Sequence, residues 1–143
     1  MRFALFAVVL LGSLAPKVVD ACTCSRISLT KASKRAEAIF AAKVLSMVID
    51  KRASRIKYVM RVERYWKGKL QRKLRMQEVW GPCAMYMGKG KRYLIFAKQR
   101  KGIKGLSTMM CTGTRLYQTS KKWRMKLGKG KTPKRVSKKR PKK

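Results

Sequence analysis

The sequence predicts a small, mainly β domain, a barrel or sandwich with one or two helices. Three observations carry this. Ile56, Tyr58, Met60 and Val62 alternate with Lys57, Val59, Arg61 and Glu63, the period of a half-buried strand. Ile39–Ile49, rich in Val and Ile, and Arg92–Lys98 are short apolar runs of strand length. Glycine-containing breaks at Gly68, Gly81-Pro82 and Gly88–Gly90 separate these runs.

In chain order, Leu29–Ala42 (LTKASKRAEAIFAA) starts with helical character. Thr30 is suited to an N-cap, Ala is frequent, and Glu37 lies four residues before Ala41. From Ile39 the composition turns to that of a strand. Asp50–Ser54 is a polar turn, and the alternating strand that follows ends at Trp66-Lys67-Gly68. Leu74, Met76 and Trp80 suggest a further strand stopped by Gly81-Pro82. Arg92–Lys98 and Leu106–Cys111 complete the set. Residues 22–120 hold 46 apolar residues out of 99, enough to build a packed core.

The N-terminus reads as an export signal over residues 1–21. Arg2 precedes the apolar run Phe3–Ala15 (FALFAVVLLGSLA), shorter than the roughly 20 residues a membrane-spanning helix needs. Val19 and Ala21 suit the −3 and −1 positions of a cut after Ala21, whereas a cut after Ala15 would put Pro16 next. The mature chain then begins at Cys22. No second run reaches membrane length. The expectation is a secreted, monomeric protein of the extracellular space or matrix, in a compartment where disulfides persist.

Composition excludes much. The 143 residues contain 39 Lys+Arg, 5 Asp+Glu and no His, a net charge of +34. Without His there is no imidazole general base, triad or zinc ligand. Five acids make a carboxylate-pair hydrolase or a carboxylate metal cage a poor fit. No nucleophile–base arrangement is visible, so the chain reads as a non-enzyme without a cofactor or metal of its own.

The charge predicts a polyanionic partner. Residues 22–120 carry 24 basic and 4 acidic residues, and residues 121–143 carry 13 basic and no acidic ones. The latter read as a disordered basic tail with a short helical start at Lys121–Leu127. Lys121, Lys122, Arg124, Lys126, Lys134, Arg135, Lys138, Lys139 and Arg140 are its candidate polyanion-binding residues. For an exported protein, sulfated glycosaminoglycan is the expected polyanion. Nucleic acid shares the electrostatics, but Tyr93 and Phe96, three apart on a strand, would face opposite sides and form no stacking platform. Trp123 between Lys122 and Arg124 is a slender basis for a membrane anchor.

Four cysteines, Cys22, Cys24, Cys83 and Cys111, read as two disulfides. Of the three connectivities, the one containing Cys22–Cys24 is disfavoured, because residues i and i+2 of an extended chain point the same way but too far apart to be bridged. Each is then tied to a distant partner, and the N-terminus is pinned twice with Thr23 between the pins. Each bridge would close a long loop, stabilising by roughly 4 kcal/mol at most. A four-cysteine zinc site is the rival, disfavoured by the C-x-C spacing and by export.

A C-x-C that opens a mature chain resembles the N-terminus of the tissue inhibitors of metalloproteinases. Further similarity follows in order: the helix and strand around Glu37–Val44, Val-x-x-x-Trp-Lys-Gly at Val62–Gly68, Cys83, Gly-Lys-Arg-Tyr-Leu-Ile-Phe-Ala at Gly90–Ala97, and Cys111 followed by Gly113 and Thr114. The resemblance covers about 22–117, the netrin-like module of that family. It implies an OB-like five-stranded closed β-barrel with flanking helices, and pairing of Cys22 with Cys83 and Cys24 with Cys111. It also implies an activity, inhibition of zinc metalloendopeptidases of the matrix type. The free amine and the carbonyl of Cys22 would chelate the protease zinc, and Thr23 would enter the specificity pocket. Cys24, Val79, Trp80, Gly81, Pro82 and Cys83 would form the inhibitory edge. The chain departs from the family's larger members in three respects. It lacks a third cysteine pair, with Lys34 near where one partner would stand. Ser25–Leu29 replaces the usual segment after C-x-C, and a basic tail replaces the C-terminal domain. Two other classes fit the composition: a netrin-like matrix-binding protein without inhibition, and a cationic defence protein acting on anionic surfaces.

Overall fold

The computed structural model describes residues 22–134. The expected export signal and Arg135, Lys138, Lys139 and Arg140 lie outside the described residues.

Helix α1 spans Leu29–Arg35, and strand β1 follows at Ala38–Asp50. The helix starts two residues earlier than a Thr30 cap would set it. Ser28 is its N-cap, its side chain accepting from the Lys31 amide at 3.3 Å. It also stops sooner, because Ala36 is already extended (ψ 139°). From Ala38 the side chains belong to the sheet, so the helical pattern that continued to Ala42 is overridden by tertiary pairing.

Strands β2 (Arg55–Lys67), β3 (Lys73–Val79), β4 (Arg92–Gln99) and β5 (Leu106–Ser107) complete an antiparallel sheet in the order β3-β2-β1-β4-β5. A two-residue strand β6 (Arg115–Leu116) pairs with the outer part of β4. The β1–β2 hairpin turns at residues 51–54, where the Asp50 carboxylate accepts from the Ala53 amide at 3.1 Å. Gly68, at φ 84°, ends β2 in a conformation that favours glycine, and a Cβ there would meet the Ala38 Cβ at 3.2 Å.

The sheet curls into a nearly closed five-stranded barrel. The Arg55 guanidinium donates to the Gly102 carbonyl at 2.9 Å, and the Ser107 hydroxyl lies 3.4 Å from Glu78, bringing the β4–β5 side against β2 and β3. Register shifts in β1 at Ile39/Phe40, Ala41/Ala42 and Val44/Ser46 supply bulges, which bend a strand and raise its twist. Alternation then divides the side chains. Phe40, Ala42, Val44, Ile56, Tyr58, Met60, Val62, Met76, Tyr93 and Ile95 fill the interior. Ile39, Leu94 and Phe96 face outward, where α1 covers them with Ala32 and Ala36. Tyr93 and Phe96 therefore do lie on opposite faces.

Two expectations change. Leu106–Cys111 is a strand only over Leu106–Ser107. Beyond it the Thr108 hydroxyl bonds the Phe96 carbonyl at 2.9 Å, and a 3-10 turn forms at Met110–Thr112. The short helix expected at Lys121–Leu127 is present, but it and the residues just after it pack on the barrel. Helix α2 (Lys121–Leu127) seats Trp123 edge-on against Phe96, ring centroids 5.4 Å apart. The Trp66 indole donates to the Gly128 carbonyl at 2.8 Å, and Tyr65 and Lys131 exchange backbone hydrogen bonds of 2.8 and 2.7 Å. One apolar face of an otherwise basic helix is enough to dock it, because the barrel exposes a ready aromatic partner.

Candidate functional site

The four cysteines converge at one end of the barrel. Cys22 is bonded to Cys83 and Cys24 to Cys111, with Cα–Cα distances of 5.2 and 5.1 Å. The Sγ atoms of Cys22, Cys24 and Cys111 all lie within 4.8 Å of one another, a spacing that could suit a metal, but both pairs are disulfides and among the described residues no cysteine is free. The two bridges span 61 and 87 residues.

Each anchor is fixed by buried polar groups. On the Cys83 side, the Tyr58 hydroxyl inside the barrel donates to the Met85 carbonyl at 2.6 Å and accepts from the Met87 amide at 3.4 Å. Burial pushes the Tyr58 phenol up to about 12, so it remains a donor across the physiological range. Ala84 and Met87 are buried in the core on either side of that contact. On the Cys111 side, three threonine hydroxyls form a cluster. Thr108 lies 2.7 Å from Thr114 and 2.9 Å from Thr112, while Thr114 accepts from the Phe96 amide at 3.0 Å. Gly113, at φ 100°, packs under Trp123, where a Cβ would meet the indole at 3.2 Å. The two anchors are joined directly by the Met110 amide donating to the Cys83 carbonyl at 3.2 Å.

Exposed groups surround this clamp. Thr23 is exposed, as its place between two pinned residues requires. Val79 and Trp80 are each 39% exposed although large and apolar, and Pro82 is exposed while Gly81 is half-buried. The Trp80 amide donates to the Ser54 carbonyl at 3.0 Å, tying the segment before Cys83 to the β1–β2 turn. Cys22, Thr23, Cys24 and Val79–Cys83 are thus carried on one covalently closed unit. Met110, 45% exposed, and Tyr86, 48% exposed, flank Cys111 and Cys83 in sequence and were not anticipated. Nothing in the sequence marks them, because their exposure is decided by the fold.

Of the basic residues, Lys121, Lys122 and Lys126 are exposed on α2, and Lys134 is exposed beyond it. Arg124 is half-buried, donating to the Ser120 hydroxyl at 3.1 Å and lying over the Tyr117 ring at 3.8 Å. All four acidic residues of the described chain are engaged. Asp50 pairs with Lys57 at 2.8 Å, Glu63 with Arg92 at 2.6 Å and Glu78 with Arg100 at 3.7 Å, and Glu37 accepts from the Gln99 amide at 3.1 Å. The Lys57 hydrogen bond, with that of the Ala53 amide, holds the Asp50 carboxyl below its ordinary value. Glu78 is buried, and desolvation pushes its carboxyl up to about 7 against the opposing pull of Arg100. With the acids consumed, most of the basic surface keeps its field.

Among the described residues no helix is long and apolar enough to cross a membrane. The two disulfides are compatible with an extracellular location. No protein-family model and no curated protein matches the chain.

Proposed function

We propose that the mature chain, beginning at Cys22, inhibits zinc metalloendopeptidases of the matrix type. The single observation that supports this most is the double clamp, in which Cys22 and Cys24 are bonded to different loops while Thr23 between them stays exposed. An α-amine has an ordinary pKa near 8, so a sizeable neutral fraction is available to a metal at neutral pH. The amine nitrogen and carbonyl oxygen of one residue close a five-membered chelate. On a catalytic zinc they would replace the water in the open coordination position. Thr23 would enter the adjacent pocket, and Val79, Trp80, Gly81 and Pro82 would flank the cleft. The bridges hold the chelating residue in place beforehand, so little ordering entropy is lost on binding. The protein contributes no metal in this scheme, because the zinc belongs to the target. Its positive charge retains it on extracellular polyanions such as sulfated glycosaminoglycans.

The test is a pair of proteins, one starting at Cys22 and one carrying a single extra Ala before it. The extra residue converts the amine to an amide, which cannot chelate. Inhibition of a matrix-type metalloendopeptidase should fall at least about a hundredfold, a loss on the order of 3 kcal/mol. Equal inhibition by both proteins removes chelation from the account.

A further inference from the structure

The strand register places four cations abreast. Lys43 on β1 lies opposite Arg61 on β2 and opposite Arg92 on β4, and Arg61 lies opposite Lys73 on β3. At about 4.8 Å per strand the row is roughly 14 Å long. Its side chains lie on the outer face, because the neighbouring Ala42, Val62 and Tyr93 belong to the interior. Arg61, Lys73 and Arg92 are exposed, and Lys43 is half-buried. The line continues beyond β4. The Arg92 guanidinium lies 4.2 Å from the Tyr117 ring centroid, and the Arg124 guanidinium lies 3.8 Å from the same centroid. The track therefore runs from the β3 edge across four strands to α2. Arg75 extends it along β3, opposite Val59.

Like charges directly opposite on neighbouring strands destabilise a sheet. Glu63 offsets one of them, bound to Arg92 at 2.6 Å. Among the described residues Lys43, Arg61 and Lys73 have no acidic partner. A repulsive row at the centre of a sheet is a structural cost that an anionic ligand would repay. Resting on the reading that the protein is held on polyanions, we propose that this cross-strand row, rather than the chain's basic C-terminus, is the main binding site for a linear sulfated polysaccharide. The site reads charge and spacing only. The Tyr117 ring is covered by two guanidinium groups, and Tyr93 and Phe96 are buried, so none of these three rings is free to stack on a nucleic-acid base.

The experiment uses the full chain and two charge-matched variants. One is Lys43→Gln/Arg61→Gln/Lys73→Gln, and the other is Lys138→Gln/Lys139→Gln/Arg140→Gln. Affinity for a defined heparin oligosaccharide is measured at physiological salt, alongside thermal unfolding. The face variant should bind about tenfold more weakly and the C-terminal variant less than about threefold. The face variant should also melt at an equal or higher temperature, because repulsion has been removed. Equal losses from the two variants overturn the assignment, as does a face variant that loses binding together with stability. A single-stranded oligonucleotide of matched charge that the wild-type chain binds as tightly as heparin overturns the glycan specificity. Failure of the wild-type chain to bind heparin at all is a separate result, which overturns polyanion retention itself.

Discussion

The cysteine-clamped end and the cationic face of the barrel are built on opposite terms. At the first, position is everything. Two bridges, the Tyr58 hydroxyl and a threonine cluster fix a few uncharged residues, and Thr23, Val79 and Trp80 stand exposed on that frame. At the second, strand pairing sets cations side by side, and Arg61, Lys73 and Arg92 stand exposed. A ligand that must enter a pocket needs the first kind of surface. A flexible polyanion is served by the second, since screened charge acts over a Debye length of about 8 Å rather than at one point. On the proposed reading, the net charge of +34 would set where the protein is held, whereas the proposed inhibitory action rests on side chains without charge.

The two regions should be separable by mutation. The largest effect is expected from Cys24→Ser/Cys111→Ser. Removing a bridge of this span lowers stability by up to about 4 kcal/mol. Inhibition should fall steeply while the heparin elution position of the folded protein stays within experimental spread. Thermal unfolding and heparin chromatography check both halves. A parallel loss of heparin binding from folded protein would show that the regions are not independent.

Trp123→Ala comes next and probes where the regions meet. Trp123 packs on Phe96, carries the Arg115 guanidinium at 3.5 Å from its ring and lies against Gly113, two residues after Cys111. Desolvation in this contact lowers the Arg115 pKa from its ordinary value. Truncating a partly buried Trp should destabilise by about 3 kcal/mol. Denaturant unfolding measures it. A change under about 0.5 kcal/mol would mean that α2 contributes no more than a solvated surface segment does.

A smaller effect, on neither region but on the barrel between them, is expected from Glu78→Gln. The folded carboxyl titrates near 7 against an ordinary value of 4.5. The folded state therefore binds the proton more tightly. Stability attributable to Glu78 is fully present below about 4.5 and is lost as pH rises through about 7, by on the order of 2 kcal/mol. The Gln variant should lack this slope. Urea titrations at pH 5 and pH 8 measure the difference, and identical slopes in both proteins would place Glu78 in contact with water.

Much of the barrel was legible because its strands alternate visibly and its breaks carry glycine. Ile56–Val62 and Arg92–Lys98 fall within β2 and β4, and Gly68 ends β2 in a left-handed conformation. Pairing of Cys22 with Cys83 and of Cys24 with Cys111 followed from family resemblance. Composition alone left two connectivities open. The docking of α2 was hidden because Trp123 and Leu127 are sparse among lysines, and its partner Phe96 becomes available only when β4 turns that face outward. Ser28 displaced Thr30 as the cap because both are competent and the chain's path into α1 chooses between them. The cation row was unreadable for a stricter reason. Lys43, Arg61, Lys73 and Arg92 are far apart in sequence, and the bulges of β1 shift the pairing that aligns them.

The central claim is that the Cys22 amine and carbonyl would occupy the metal of the target. The most direct measurement is the visible spectrum of a cobalt-substituted matrix-type metalloendopeptidase during titration with the protein. Chelation by both atoms of Cys22 raises the coordination number from four to five. The d–d absorption should therefore weaken in proportion to inhibition, and should not change with the Ala-extended protein. Full inhibition by the Cys22 protein with an unaltered cobalt spectrum would contradict the account.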